Sequence, residues 1–193
     1  MRLERIGNGK DKREFVKLYE TAFPSQERKP FGFMEELVRA GKMDMLAILD
    51  GERFVGLAIV LLAGKAALLD YFAISSSLRN CGYGGQALEL LLRRYGDRRM
   101  ILEIEAQDPQ ADNALERQKR KAFYLRNHVK ETGIYAHVYG TDFELLSSDG
   151  KLSYGEYVQA LEDSLGAACV EKLCPRQILK KSTADGTGGR GEK

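Results

Sequence analysis

Apolar residues recur at Phe15, Leu18, Tyr19 and Ala22, the i, i+3, i+4, i+7 stripe of one helix face. A short strand, RLERI, precedes them, and Pro24 and Pro30 break the chain around SQERK. Phe33, Met34, Leu37 and Val38 predict a second short helix, which Gly41 stops. The stretch MLAILDGERFVGLAIVLLAGKAALLDYFAI then abandons the helical period for near-continuous apolar runs. Turns at Asp50-Gly51 and Gly64-Lys65 divide it into three predicted antiparallel strands, about 44–50, 52–62 and 65–74. Leu88, Leu91, Leu92 and Tyr95 predict a helix ended by Gly96-Asp97. MILEIEA, 100–106, alternates, with Leu102 and Ile104 on one face and Glu103 and Glu105 on the other. Asp112 or Asn113 can cap a helix running to about Asn127, with Gly133 beyond it. Ile134 to Val138 and Phe143 to Leu146 read as closing strands, and Tyr157, Leu161, Leu165, Ala168 and Leu173 predict a last amphipathic helix, about 154–174. The tail from about Lys181, with STADGTGGRGEK, is polar and glycine-rich, and disorder is expected there. The order predicts an α+β domain with a mixed, mostly antiparallel central sheet flanked by helices.

Composition narrows the class without naming a function. The chain has 193 residues, 44% apolar and 30% charged, enough for one domain with a core. A net charge of +2 gives no global pull toward nucleic acid or membrane, and neither is expected as a partner. No apolar run reaches the ~18 residues of a membrane span, and MRLERIGNGKDKREF lacks the apolar segment of a secretory signal. Cys81, Cys169 and Cys174 are odd in number and far from His128 and His137. Neither a disulfide framework nor a metal site is expected, and a reducing cytoplasm is the expected location.

The candidate chemistry lies in LRNCGYGGQAL, Leu78 to Leu88, where glycines lead straight into a helix. Backbone N–H groups there lack intrahelical partners and can face an anion, and glycine lets a bulky phosphate come close. A plain glycine-rich turn is the alternative. Gly85 is followed by Gln86 and Ala87 rather than Lys-Ser/Thr, which excludes a Walker loop. Gly82-x-Gly84-x-x-Ala87, with Glu103 and Glu105 downstream, fits a dinucleotide fingerprint. An antiparallel meander, not a βαβ unit, precedes it.

Two segments together carry a resemblance. Ile74-x-Ser76-x-x-Arg79-x-x-Gly82-x-Gly84 resembles V-x-P-x-x-R/Q-x-x-G-x-G/A, the acyl-CoA signature of the GNAT family of N-acetyltransferases. The stretch from Arg120 to Val129, RKAFYLRNHV, resembles that family's R-x-x-F-Y-x-x-x-G-F. Ser76 stands for the usual proline, and His128-Val129 for the usual Gly-Phe. The similarity covers about residues 1–146, taken as an acyltransferase domain. Residues 147–180 are expected to form a helical extension packed on it, and 181–193 a tail.

The resemblance implies a GNAT-type fold in which strands 65–74 and 100–106 splay into an acyl-CoA cleft. It implies acetyl-CoA as co-substrate, without a metal. The pyrophosphate would sit on the N–H groups of Asn80, Cys81, Gly82, Tyr83, Gly84 and Gly85. The pantetheine arm would pair with the backbone near Phe72 and Ile74, where amides would also hold the oxyanion. Tyr124 matches the family's general acid. Asn113, Arg117, Arg120 and Tyr124 share one helix face by spacing, which would line the cleft. Leu115, Gln118, Ala122 and Leu125 make the other face, expected to meet the core. Arg79, Arg117, Lys119 and Arg120 are candidates for the 3′-phosphate.

The attacking amine must lose a proton. Glu103 and Glu105 project to one side of their strand, and Glu105, nearer the open end, is the first candidate base. Salt-bridged carboxylates are the alternative. The expected function is direct acetyl transfer from acetyl-CoA to a primary amine of a small molecule or peptide. A non-catalytic CoA-binding sensor or interaction module stays open beside it. Acceptor contacts are expected from residues 19–35, with Glu27 and Arg28, and from Tyr135, His137 and Tyr139. The last helix offers Tyr154, Tyr157 and Leu161 to a second copy, a route to a homodimer.

Overall fold

The computed structural model describes residues 1–7, 10–138 and 140–179. Tyr139 and the tail 181–193 therefore lie outside the described residues. The chain runs β1 (Arg2–Arg5), α1 (Lys10–Ala22), α2 (Phe31–Arg39), β2 (Met43–Asp50), β3 (Arg53–Ala63) and β4 (Ala66–Ile74). It continues with α3 (Tyr83–Arg94), β5 (Arg99–Glu105), α4 (Ala114–Arg126), β6 (Lys130–Val138) and β7 (Thr141–Ser147). It closes with α5 (Tyr154–Leu165), α6 (Ala167–Leu173) and β8 (Arg176–Ile178).

One eight-stranded sheet, in the order β1-β2-β3-β4-β5-β7-β6-β8, forms the middle layer. Helices α1, α2, α5 and α6 cover one face, and α3 and α4 the other. Strands β2 and β3 are buried on both faces, which is why their sequence runs apolar instead of alternating. The stripe of α1 buries Phe15 and Tyr19, and α2 buries Met34 and Leu37. Gly51 and Gly64, at φ +57° and +51°, supply the left-handed conformation of the two tight hairpins.

Two local features shape the middle of the sheet. Ile59 pairs with Tyr71 and Val60 with Leu69, so Asp70 is an extra residue bulged out of β4. On its other edge β4 pairs in parallel with β5 only from Ala66–Arg99 to Leu69–Leu102. Beyond that point β4 stays with β3 through Ile74, and β5 stays with β7 through Glu105. The sheet forks there, leaving an unpaired edge on each arm.

The C-terminal part differs from the predicted single helix. Gly166, at φ +87°, breaks it into α5 and α6. A Ser153–Glu156 capping box starts α5. Tyr157 and Leu161, read from sequence as a surface for a second copy, are buried in the chain's own core with Phe15 and Leu57. β8, which pairs with β6, was not predicted. Three residues, Arg-Gln-Ile, carry no period to read.

Candidate active site

The segment between β4 and α3 is built to leave amides unpaired. A short 3-10 turn, Ser76–Leu78, buries Leu78 and reverses the chain. Asn80 then turns left-handed at φ +62°, and Gly82, at φ +82°, opens α3. Among the described residues, no backbone group accepts from the N–H of Asn80, Cys81, Gly82, Tyr83, Gly84 or Gly85, and the first intrahelical bond is Gln86 N–H to Gly82 O. Asn80, Cys81 and Gly82 are solvent-exposed, and the positive end of the α3 dipole adds to the attraction for an anion. Gly84 has a separate reason to be glycine. A Cβ there would lie 3.3 Å from the Phe123 ring, so the glycine lets α3 and α4 approach closely. The Arg79 guanidinium is exposed and reaches back to Ile74 O at 3.4 Å. The Tyr83 hydroxyl donates to Asp50 at 2.9 Å.

Beyond the fork the sequence-predicted residues separate. Phe72 stacks on Phe123, with ring centroids 6.4 Å apart, on the α3/α4 side. Glu105 is tied to α4. Its carboxylate accepts from Asn113 Nδ2 at 3.1 Å, lies 3.1 Å from Arg117 Nη2 and accepts from Arg120 Nη1 at 2.8 Å. Burial would raise its pKa, but Asn113, Arg120 and Arg117 outweigh burial and hold it below the ordinary carboxylate value. Arg117 also donates to Asn113 Oδ1 and to Ala106 O. The expected polar stripe of Asn113, Arg117 and Arg120 exists, and it clasps the end of β5.

Glu103 takes different partners. Its carboxylate accepts a 2.6 Å hydrogen bond from the Tyr157 hydroxyl, on the face opposite α4. Desolvation raises its pKa. The Tyr157 hydrogen bond and the Lys29 charge oppose that rise, and the Asp70 charge adds to it. Lys29 spans the same region, its Nζ 2.8 Å from both oxygens of Asp70. The sequence places Lys29 in the 19–35 segment expected to meet the acceptor without singling it out, reads Tyr157 as a helix-face and dimer residue, and gives Asp70 no role. The available signal was Asp70 as the single charge in AALLDYFAI.

Tyr124 packs edge-on against Phe123, centroids 5.2 Å apart, on the α3/α4 side. Among the described residues its hydroxyl has no hydrogen-bond partner. Burial pushes its pKa up to about 12, with Arg120 opposing, so it stays protonated at neutral pH. The opposite face of α4 corrects an expectation. Leu115 and Leu125 are 57% and 39% exposed, and no residue of α4 is buried. The helix meets the sheet through Phe123, Tyr124 and its polar clasp instead. His128, at φ +68°, adopts the left-handed conformation its position requires.

The family model described as "Acetyltransferase (GNAT) family" matches residues 12–119, more than half of the chain. A structure of a GNAT-family acetyltransferase from Bacteroides thetaiotaomicron aligns at TM-score 0.68 and 21% identity, over 88% of this chain and 98% of that one. An aminoglycoside 6′-N-acetyltransferase complexed with coenzyme A aligns at TM-score 0.59 and 17% identity, over 76% and 96%. A chimeric spermidine N-acetyltransferase derived in part from Vibrio cholerae aligns at 0.58 and 15%, over 76% and 93%. These identities carry the fold alone. A search of curated proteins finds no match.

Proposed function

The chain belongs to the GNAT family of acetyltransferases, and from that premise we propose that it moves the acetyl group of acetyl-CoA directly onto a primary amine of a small molecule or peptide. The observation that carries the donor assignment is the row of unpartnered amides from Asn80 to Gly85 at the head of α3, beside a fork whose edges are unpaired. This donor set suits a pyrophosphate. The free β4 edge through Phe72 and Ile74 suits the amide-bearing arm of the same molecule. Arg79, exposed at the loop entrance, and Arg120, 46% exposed, are the cations proposed for its outer phosphate. Arg117 and Asn113 serve mainly to brace the cleft wall.

Acetyl-CoA supplies an activated acetyl group and a thiolate leaving group. The protein supplies proton transfers from opposite faces of the sheet. Tyr124, protonated and unpartnered, donates to the departing sulfur. Glu103 takes the proton of the acceptor amine. Burial raises its pKa toward the range a base at neutral pH needs, whereas Glu105 is committed to Arg117 and Arg120. The acceptor approaches from the face of α1, α2 and α5. No helix among the described residues is long and apolar enough to cross a membrane. Three free cysteines fit a reducing cytoplasm as the site of action.

The test is thiol release from acetyl-CoA across an amine panel, with calorimetry of acetyl-CoA binding alongside. Release with at least one amine, lost in Tyr124→Phe with binding intact, is the expected result. Binding without release for any amine would favour the sensor reading. Absence of binding would end the assignment.

A further inference from the structure

The acceptor side of the fork holds an ion pair that stability does not explain. Lys29 is the inward residue of a connection framed by Pro24, a 3-10 turn at Ser25–Glu27 and Pro30. Its side chain is 22% exposed and its ammonium sits 2.8 Å from both oxygens of Asp70, whose side chain is 10% exposed. The Tyr71 ring lies 5.2 Å from Nζ, within cation–π range. Two phenols latch the backbone of the same residue. Tyr71 accepts from Lys29 N–H at 3.1 Å, and Tyr19 donates to Lys29 O at 3.1 Å. Burial opposes the charge on Lys29, but Asp70 outweighs burial, with Glu103 adding to its pull.

Removing two charges from water costs about as much as their attraction returns, so an apolar pair would serve stability as well. The location suggests another use. Asp70 and Glu103 are the first residues past the last parallel pair, Leu69–Leu102, one on each arm of the fork. The bulge at Asp70 brings its side chain to the same face as Tyr71. A carboxylate on each arm, with the rings of Tyr71 and Tyr157 nearby, makes a cage for an alkylammonium at the point where the sheet opens.

We propose that Lys29 is an internal occupant of the acceptor subsite, its Nζ holding the place of the substrate amine, and that the acceptor is an aliphatic primary ammonium which enters by displacing it. The inference rests on the acetyltransfer reading above. In the reaction the bound ammonium gives a proton to Glu103, and its nitrogen forms the C–N bond as the C–S bond breaks. The sulfur takes the Tyr124 proton, and the nitrogen sheds its second excess proton to solvent. Tyr124 and Glu103 return to their resting protonation by exchange with solvent, one proton being released overall. The amide product carries no charge for Asp70 to hold, so Lys29 can return and expel it.

The experiment uses Lys29→Ala and n-propylamine, which replaces the atoms that the substitution removes. With the internal competitor gone, N-propylacetamide should form about tenfold or more faster than with wild type. n-Propylamine should also raise the melting temperature of Lys29→Ala, while n-propanol should not. Adding Asp70→Asn should abolish both effects. A purely structural cage would bind the amine and raise the melting temperature without product; that result, with acetyl-CoA bound, overturns the proposal. So does failure of the amine to stabilise the variant. Should Lys29→Ala not fold, Lys29→Met keeps the volume without the charge, and a rate no higher than wild type overturns the proposal equally. Calorimetry separates the levels. If wild type does not bind acetyl-CoA, the acetyltransfer reading fails first and this one falls with it.

Discussion

Replacing each strand glutamate by glutamine should separate a clasp from a base. In Glu105→Gln the amide still accepts one hydrogen bond, but the charge facing Arg117 and Arg120 is gone. At the observed 2.8–3.1 Å an ion pair is worth about 5 kcal/mol gross at an effective dielectric of 20. Arg120 is 46% exposed, so its share shrinks to the ~0.2–1 kcal/mol of a surface pair. Arg117 is 18% exposed and held by Asn113 and Ala106, so its less screened ion pair with Glu105 retains about 1–2 kcal/mol, between a surface pair and a buried one. The expected net loss is about 2 kcal/mol, a fall in Tm of roughly 4–8 °C near pH 7 for a chain of this size.

The pH dependence follows from the lowered pKa of Glu105. Its stabilisation is present above the unfolded-state pKa and lost as pH falls through the folded one. The gap between Glu105→Gln and wild type should therefore close in acid. Turnover by the folded fraction should change little.

Glu103 has the opposite sign. Its raised folded pKa means that stability is fully present below the unfolded pKa and lost as pH rises through the folded one. Glu103→Gln removes that penalty and keeps an acceptor for the Tyr157 hydroxyl. Its Tm near neutral pH should equal or exceed wild type, while kcat falls by roughly 10²–10⁴, the contribution of a positioned base. Differential scanning fluorimetry across pH and a thiol-release assay read both quantities. The division is refuted if Glu105→Gln keeps the wild-type Tm and loses turnover, or if Glu103→Gln melts early and keeps it.

Three further outcomes follow from the same geometry. Tyr124→Phe removes an unpartnered hydroxyl, so kcat should drop by about 10²-fold or more with acetyl-CoA affinity and Tm unchanged, checked by calorimetry and thiol release. Tyr157→Phe removes the hydrogen bond that lowers the Glu103 pKa; the acidic limb of kcat/KM should move to higher pH, which a structural role for Tyr157 would not produce. Gly82→Ala places a side chain at φ +82° in ordinary contact with Gln86 Nε2 at 3.7 Å, so the backbone conformation should cost about 1–2 kcal/mol of strain in denaturant melts and weaken coenzyme A binding in calorimetry.

What was legible from sequence was local. The period of Phe15, Leu18 and Tyr19, the turns at Gly51 and Gly64, and the glycines entering α3 each declare themselves within a few residues, and the structure has them all. Relations across the chain were not legible. Glu103 and Glu105 alternate correctly, yet one meets Tyr157 of α5 and the other Arg120 of α4, because the loop after β5 carries α4 onto the strand end. The spacing of Leu115 and Leu125 turns an apolar face of α4 inward, but the polar clasp orients the helix instead and leaves both exposed. β8 carries no pattern, and it is ordered by the free edge of β6.

The acceptor side was least visible because three distant segments build it. Lys29 belongs to a connection, Asp70 to a bulge and Glu103 to the neighbouring strand, 41 residues separating the first two and Tyr157 a further 54 beyond Glu103. Each has a bland local reading: a surface lysine, a strand-interrupting aspartate, one tooth of an alternation. The bulge changes that. Laid into a regular ladder with no bulge, every β4 side chain from Tyr71 onward would exchange faces, sending Tyr71 toward α3 and Phe72 toward α1. The fork would then lack both the phenol that latches Lys29 and the ring that stacks on Phe123. The bulge therefore equips both sides of the cleft by absorbing Asp70 without a change of phase; deletion of Asp70 leaves Tyr71 and Phe72 on their faces, so the deletion and Asp70→Asn should both spare coenzyme A binding and impair only the acceptor side.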